Sequence, residues 1–202
     1  MSGLDNFYKN VGTPTEDKVK LFRDTFIKYG SDKTGYHNYE VIYSALFDDE
    51  SKLSNIIEMG IHTGASLRAW KEIFYNAEVI GLENNLERFI TEKRITSIFV
   101  DQTSEKTFDD FIEFVGDKKF EFIVDDGSHY FEETKRTFNR LLPVLDINGW
   151  FVVEDISLEF EELWLDIAQE LPANYEWYLI NLNDLAQTDV EDNIVLTVRR
   201  IK

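Results

Sequence analysis

Between residues 15 and 30 the apolar positions follow a helical period. Thr15 precedes Glu16 and Asp17, then Val19, Phe22, Phe26 and Tyr29 share one face, and Gly30 ends the run, which predicts an N-capped amphipathic helix. A polar loop from Ser31 to Gly35 leads to a second short helix over 38–47, where Tyr39, Tyr43 and Phe47 recur at helical spacing. From Asn55 onward the pattern changes. Short apolar runs at Ile56 and Ile57, Val79 and Ile80, 98–100, 122–124 and 151–153 are bounded by Gly, Asp or Glu, as strands buried on both faces should be. The stretches between them, 66–75, 86–93, 105–115 and 131–142, read as helices. Strand and helix therefore alternate as βαβ units on a parallel sheet.

After a helix over 159–171, two more strands at 177–180 and 194–198 are separated by polar residues without helical period. A parallel crossover normally needs a helix, so this last pair is expected to be antiparallel. The expected architecture is α/β: a Rossmann-like fold with a mostly parallel seven-stranded sheet, an antiparallel C-terminal strand and helices on both faces. Residues 1–50 would form an N-terminal helical cap and 51–202 the Rossmann-like domain, together one compact unit.

With 43% apolar and 14% aromatic residues the chain can bury a core, which excludes disorder throughout. The net charge of -18 repels phosphate backbones and anionic lipid surfaces, so neither nucleic acid nor membrane is an expected partner. The chain has no cysteine, which removes disulfides and thiolate metal sites. The first ten residues lack a signal-like apolar stretch, and no run approaches the ~18 apolar residues of a membrane span. A soluble cytoplasmic protein is the default expectation.

Ligands of open α/β sheets sit outside the carboxyl ends of the strands, and here those ends are acidic. The first expected strand ends in Glu58, Met59, Gly60, Ile61, His62, Thr63 and Gly64, a turn whose glycines let backbone amides approach a ligand. Glu83 closes the second strand, 25 residues beyond Glu58, where a carboxylate can accept both ribose hydroxyls of an adenosine-type cofactor. Asp101 and Gln102 follow the third strand and could meet the adenine edge. The fourth yields Asp125, Asp126, Gly127, Ser128 and His129, and the fifth Glu154 and Asp155. Asp126, Glu154 and Asp155 lie within reach of one hard cation, which prefers carboxylate oxygen. His129, three residues past Asp126 at a helix start, is a candidate general base; the helix dipole and the cation would both keep its imidazole neutral at pH 7. Tyr36, Tyr39, Tyr130 and Phe131 are candidates for lining an acceptor pocket.

These segments resemble metal-dependent class I S-adenosylmethionine (SAM) methyltransferases, in particular the sugar O-methyltransferases of macrolide biosynthesis, whose relatives are often labelled cephalosporin hydroxylases. The resemblance rests on Ser31, Asp32 and Lys33 with His37 and Tyr39, and on residues 56–70, 79–83, 100–104, 122–134 and 148–156. It implies a SAM-methyltransferase fold and transfer of a methyl group to a hydroxyl of a small-molecule acceptor such as a glycoside, with a homo-oligomer admitted. Gly60 and Gly64 would border the methionine part of SAM, Glu83 the ribose and Asp101 the adenine, with Glu58, Ser66, Gln102, Asp125 and Lys33 completing the cofactor-binding set. Asp126, Glu154 and Asp155 would hold Mg²⁺ or another divalent cation, and His129 would take the acceptor proton. Glu83 stands where Asp is more usual, a longer reach with the same hydrogen-bonding capacity. Two other readings share parts of this pattern. An NAD-dependent oxidoreductase would need a G-x-G-x-x-G turn, but Glu58 stands where its first glycine belongs. A non-catalytic acidic binding module would leave the complete set of Asp126, His129, Glu154 and Asp155 without a purpose.

Overall fold

The computed structural model describes residues 3–183, 185 and 190–202. Three helices come first, α1 (Gly3–Val11), α2 (Glu16–Tyr29) and α3 (Glu40–Leu46). Thr15 caps α2 by accepting a hydrogen bond from the Lys18 amide, and Gly30 ends the helix in the left-handed region. The alternating part then runs β1 (Asn55–Met59), α4 (Ala65–Ile73), β2 (Glu78–Glu83), β3 (Thr91–Glu92), β4 (Ile95–Phe99), α5 (Glu105–Val115), β5 (Phe120–Asp125), α6 (Phe131–Leu141) and β6 (Leu145–Ile156). Helix α7 (Glu161–Gln169) and strands β7 (Tyr175–Asn181) and β8 (Ile194–Arg200) complete it.

The strands form one eight-stranded sheet in the order β3-β4-β2-β1-β5-β6-β8-β7. Neighbours from β4 to β6 are parallel, and β8 runs against both β6 and β7. The expected antiparallel C-terminal pair is therefore present; part of its connection, at 184 and 186–189, lies outside the described residues. Two expectations change. Residues 86–93 are not a helix: Asn85 caps a single 3-10 turn over Leu86–Arg88, and Thr91–Glu92 pairs antiparallel with β4. The Ser97 hydroxyl exchanges hydrogen bonds with the Ile90 backbone and pins this hairpin, which makes eight strands instead of seven. Helix α1 was not expected, yet Leu4, Phe7, Tyr8 and Val11 pack into the core at helical spacing.

Side chains alternate across the sheet. Ile56, Val79, Phe122 and Val152 face α1 to α4, while Ile57, Ile80, Ile123 and Val153 face α5, α6 and α7. On the first face Phe26 of α2, Tyr43 of α3, Trp70 of α4 and Phe122 of β5 form a ring cluster, with Trp70 at 5.1, 4.8 and 5.3 Å from the other three centroids. This contact holds the N-terminal helices on the sheet and fixes where the 31–39 loop meets the strand ends. No helix among the described residues is long and apolar enough to cross a membrane.

The C-terminal end of β1 is the tightest crossing. Gly60 has φ +92°, and a Cβ there would lie 2.0 Å from the Asp126 carbonyl oxygen. Gly60→Ala is expected to cost roughly 2–4 kcal/mol, the sum of a left-handed backbone and a forced displacement. Gly12→Ala, also at positive φ but with nothing within 4 Å of the new Cβ, should lose only about 1–2 kcal/mol. Urea unfolding followed by tryptophan fluorescence compares them, and equal losses would mean that the close approach carries no energy.

Candidate functional site

A cleft of about 460 Å³ opens over the carboxyl ends of the parallel strands, with Gly60, Ser66, Glu83, Gln102, Asp126, His129 and Asp155 among its walls. At one end Glu83 is buried and already oriented. One carboxylate oxygen accepts from the Ile61 amide at 3.2 Å and the other from the Asn84 and Asn85 amides at 3.0 Å each. Gln102 also reaches the cleft. Its amide nitrogen donates to Asp125 at 3.1 Å and Thr137 at 2.8 Å, and its oxygen accepts from the Ser128 amide at 2.8 Å, so it ties β4 to the loop carrying His129. Asp101 turns away: its carboxylate accepts from the amide and hydroxyl of Thr103 in the turn that opens α5. Gly64 caps α4 in the left-handed region. Of the four aromatics considered for an acceptor pocket, Tyr36 and Tyr130 are exposed, Tyr39 is buried, and Phe131 stacks on Phe160.

Beneath the cleft wall the acidic residues converge. Glu58, at the end of β1, accepts from the Trp70 indole at 3.0 Å, and burial pushes its carboxyl up to about 7. Asp125, under the Gln102 amide, is pushed up to about 8 by the same cause. The Lys33 ammonium lies 3.2 Å from Glu58 and 2.6 Å from Asp126 and also contacts Glu154. Burial works against its charge, but the three carboxylates hold it well above the ordinary lysine range. The same loop and α3 supply neutral donors: the Tyr39 hydroxyl donates to Asp155 at 2.5 Å and the Tyr43 hydroxyl to Glu154 at 2.6 Å. His37 stacks on Tyr39, its Nδ1 3.5 Å from Asp155.

Consecutive residues of a regular strand face opposite sides, so Glu154 and Asp155 could not both join this network from an undistorted β6. The register against β8 shifts between Val153 and Ile156, and Asp155 has φ +53°. This bulge re-aims Asp155 toward His129, whose own φ is +60°. Left-handed backbone at two non-glycine residues is a local strain of the kind that collects at functional sites. The His129 Nε2 lies 3.4 Å from Asp126 and 3.3 Å from Asp155. Burial opposes a charge on the imidazole, but the two carboxylates outweigh it and push His129 up to about 9. The helix start alone does not keep this ring neutral, because carboxylates this close outweigh the dipole; the expected neutral form rests on the dipole and a bound cation together. Asp126 is held well below the usual carboxylate range by Lys33 and His129 despite its burial.

The expected metal trio is therefore divided. Donor atoms of Asp126, His129 and Asp155 lie within 4.8 Å of one another, and so do those of Glu58, Asp126 and Glu154. Asp126 belongs to both groups, and Lys33 occupies the second. Lys33, Glu58 and Asp125 sit behind the cleft wall instead of on it. Tyr43, read from the sequence as one more apolar position of α3, holds Glu154; its helical spacing gave no sign of that bond.

Residues 57–156 match the family model described as a methyltransferase domain. The chain carries a methyltransferase domain. Its relatives include the 8-demethyl-8-alpha-L-rhamnosyl tetracenomycin-C 2'-O-methyltransferase of Streptomyces olivaceus, 28% identical over 66% of this chain and 37% of that protein. The L-olivosyl-oleandolide 3-O-methyltransferase of Streptomyces antibioticus is 30% identical over 71% of this chain and 37% of its own length. The chain thus spans little more than a third of these curated relatives. Among solved structures, MycE methyltransferase of the mycinamycin biosynthetic pathway, in complex with Mg and SAH, superposes with a TM-score of 0.68 at 22% identity, covering 89% of this chain and 54% of that one. The O-methyltransferase from Bacillus cereus in complex with SAH gives 0.63 at 12% identity over 98% of both chains. These likenesses establish the methyltransferase fold.

A pH dependence follows from shifts of like sign: burial raises Glu58 to about 7 and Asp155 to about 6, and two further groups act at higher pH. His129, raised to about 9, stabilises the fold fully below its unfolded pKa near 6.5, and that contribution is lost as pH rises through 9. Asp125, raised to about 8, ionises in the unfolded chain first, so it also withdraws stability as pH rises toward 8. In excess chelator, the urea midpoint should fall steadily from about pH 6 to pH 9, and Asp125→Asn should flatten the lower part of that fall. A flat or rising profile would contradict these assignments.

Proposed function

We propose that this chain is a SAM-dependent O-methyltransferase acting on a sugar hydroxyl of a natural-product acceptor, assisted by Mg²⁺ or a similar divalent ion and by His129 as general base. The observation that carries the reading is one continuous cleft: the wall formed by Gly60, Ser66, Glu83 and Gln102 opens onto Asp126, His129 and Asp155. Its volume, about 460 Å³, falls within the range of small-molecule sites. The relatives' names, as O-methyltransferases of glycosylated scaffolds, support the acceptor class. The MycE complex with Mg, SAH and mycinamycin VI supports the cofactor and the ion.

The chain's own residues fit this chemistry. Glu83, fixed by three amides, keeps about one lone-pair site, on the oxygen that meets Ile61, for a ribose hydroxyl, and Gly60 lines the cleft where the methionine part would lie, whereas Gly64 turns toward Ile90 and Arg68. Gln102 faces the cleft where Asp101 does not, and is the nearer candidate for the adenine edge. Asp126 and Asp155 would hold the cation, their donor oxygens lying within 4.8 Å of each other, while Glu154, engaged by Lys33 and Tyr43, supports them from behind. When bound, the cofactor supplies an electrophilic methyl group and the ion stabilises negative charge on the acceptor oxygen. His129 takes the acceptor proton at Nε2. With Asp126 and Asp155 engaged elsewhere, its imidazole loses the charges that hold it protonated and returns toward the range where the neutral base is present at pH 7.

Calorimetry should detect SAM and SAH and give no signal with NAD; the opposite result would favour an oxidoreductase. With a glycosylated acceptor, turnover should vanish in excess chelator and return with Mg²⁺. His129→Ala should lower turnover about 10²–10⁴-fold while the SAM affinity stays unchanged. Unchanged turnover would make His129 structural, and a collapse of SAM affinity would move it to the cofactor site.

A further inference from the structure

The 31–39 loop sends one cation into the interior, and its surroundings are those of a metal ion. Lys33 is 1% exposed. Its ammonium has three hydrogens and three carboxylate neighbours, one each from β1, the loop after β5, and β6. The second oxygens of those carboxylates are disposed differently. Glu58 accepts from Trp70 and Glu154 from Tyr43, so the inner side is closed, whereas Asp126 turns its free oxygen toward His129. Access differs as well: the Glu58 and Glu154 side chains are shut off from solvent, while those of Asp126 and His129 are partly open.

We propose that Lys33 is a built-in cation that closes the inner cluster of Glu58, Asp126 and Glu154 to metal, confining an exchangeable divalent ion to the outer cluster, where Asp126 and Asp155 would hold it beside His129. The confinement to the outer cluster rests on the metal-dependent reading above; the closure of the inner one does not. Three carboxylates within 4.8 Å of one another, two of them buried and Asp126 partly open, form a strong cage for a hard cation once the ammonium is gone. The Glu58 Oε1 is an independent pointer. It is buried without a hydrogen bond, and the Lys33 ammonium at 3.2 Å is its cation. An ammonium on a covalent stem cannot exchange, so the inner oxygens stay in register whether or not the outer ion is present. Lys33 is thus a positioning residue: it fixes Asp126 from one side and leaves the other oxygen for the ion.

The test is Mn²⁺ uptake by the whole chain at about pH 8, where carboxylates ordinarily ionise, followed by calorimetry and by the electron spin resonance of free Mn²⁺. The wild type should take up one ion, and Asp155→Asn should abolish that uptake. Lys33→Met removes the charge and keeps the stem, and should gain a second ion that persists in the Lys33→Met/Asp155→Asn double variant. If the wild type binds no Mn²⁺ while Lys33→Met does, the metal-dependent reading fails and the inner-cluster proposal stands. A folded Lys33→Met with the uptake of the wild type overturns the proposal. If Lys33→Met is unfolded alone but folds by circular dichroism on adding millimolar Mn²⁺, the ion has replaced the ammonium, as proposed. If it stays unfolded at that concentration, Lys33 is a packing residue and the proposal is overturned.

Discussion

Glu58, Asp126, Glu154 and Asp155 leave bulk water together at the carboxyl edge of the sheet, and each buried carboxylate costs several kcal/mol unless something of opposite charge or a donor compensates it. Lys33 meets three of them, Tyr39, Tyr43 and the Trp70 indole meet a further oxygen on Asp155, Glu154 and Glu58, and His129 lies against Asp126 and Asp155. Apart from His129, that compensation comes from segments preceding β1 or packed against them. The N-terminal helices are therefore tied to the site twice, through the ring cluster around Trp70 and through the loop that carries Lys33. Loss of either tie would leave buried charge without a partner.

The same constraint explains the irregular backbone. A regular β6 would send Glu154 and Asp155 to opposite faces; the bulge and the left-handed Asp155 bring both into one network. His129, also left-handed, is held between Asp126 and Asp155, and Gln102 fastens the loop that carries it to β4 and α6. Strain at these positions is sustained because several neighbours fix each one. The resulting geometry separates an oriented cofactor wall, centred on Glu83, from a charged region centred on Asp126, along a single cleft.

Much of this was legible in the sequence. Apolar runs ending in acids marked the strands and, through the topology of open α/β sheets, the edge where a ligand sits. The destination of Lys33 was not legible, because it lies 93 and 121 residues from Asp126 and Glu154 and only tertiary packing joins them. Asp101 and Gln102 were read together; the turn bonds that Asp101 makes to Thr103 decide that Gln102 alone faces the cleft. The 86–93 segment misled because Leu86, Phe89 and Ile90 imitate a helical face, while its hairpin turns at Lys93 and Arg94, which carry no turn signal; Arg94 takes φ +65°. Helix α1 had the right spacing at Leu4, Phe7, Tyr8 and Val11, but its polar residues concealed it. Two carboxylates that folding brings close to His129 push its pKa up, which helix position cannot foretell.

The most direct test of this division of charge is the anomalous diffraction of a crystal grown with SAH and Mn²⁺, collected at the manganese edge. The account expects SAH along Gly60 and Glu83, and a single manganese peak bounded by Asp126 and Asp155, with the Lys33 ammonium still among Glu58, Asp126 and Glu154. A peak inside that inner cluster with Lys33 displaced, or SAH bound with no manganese near Asp126, would contradict it.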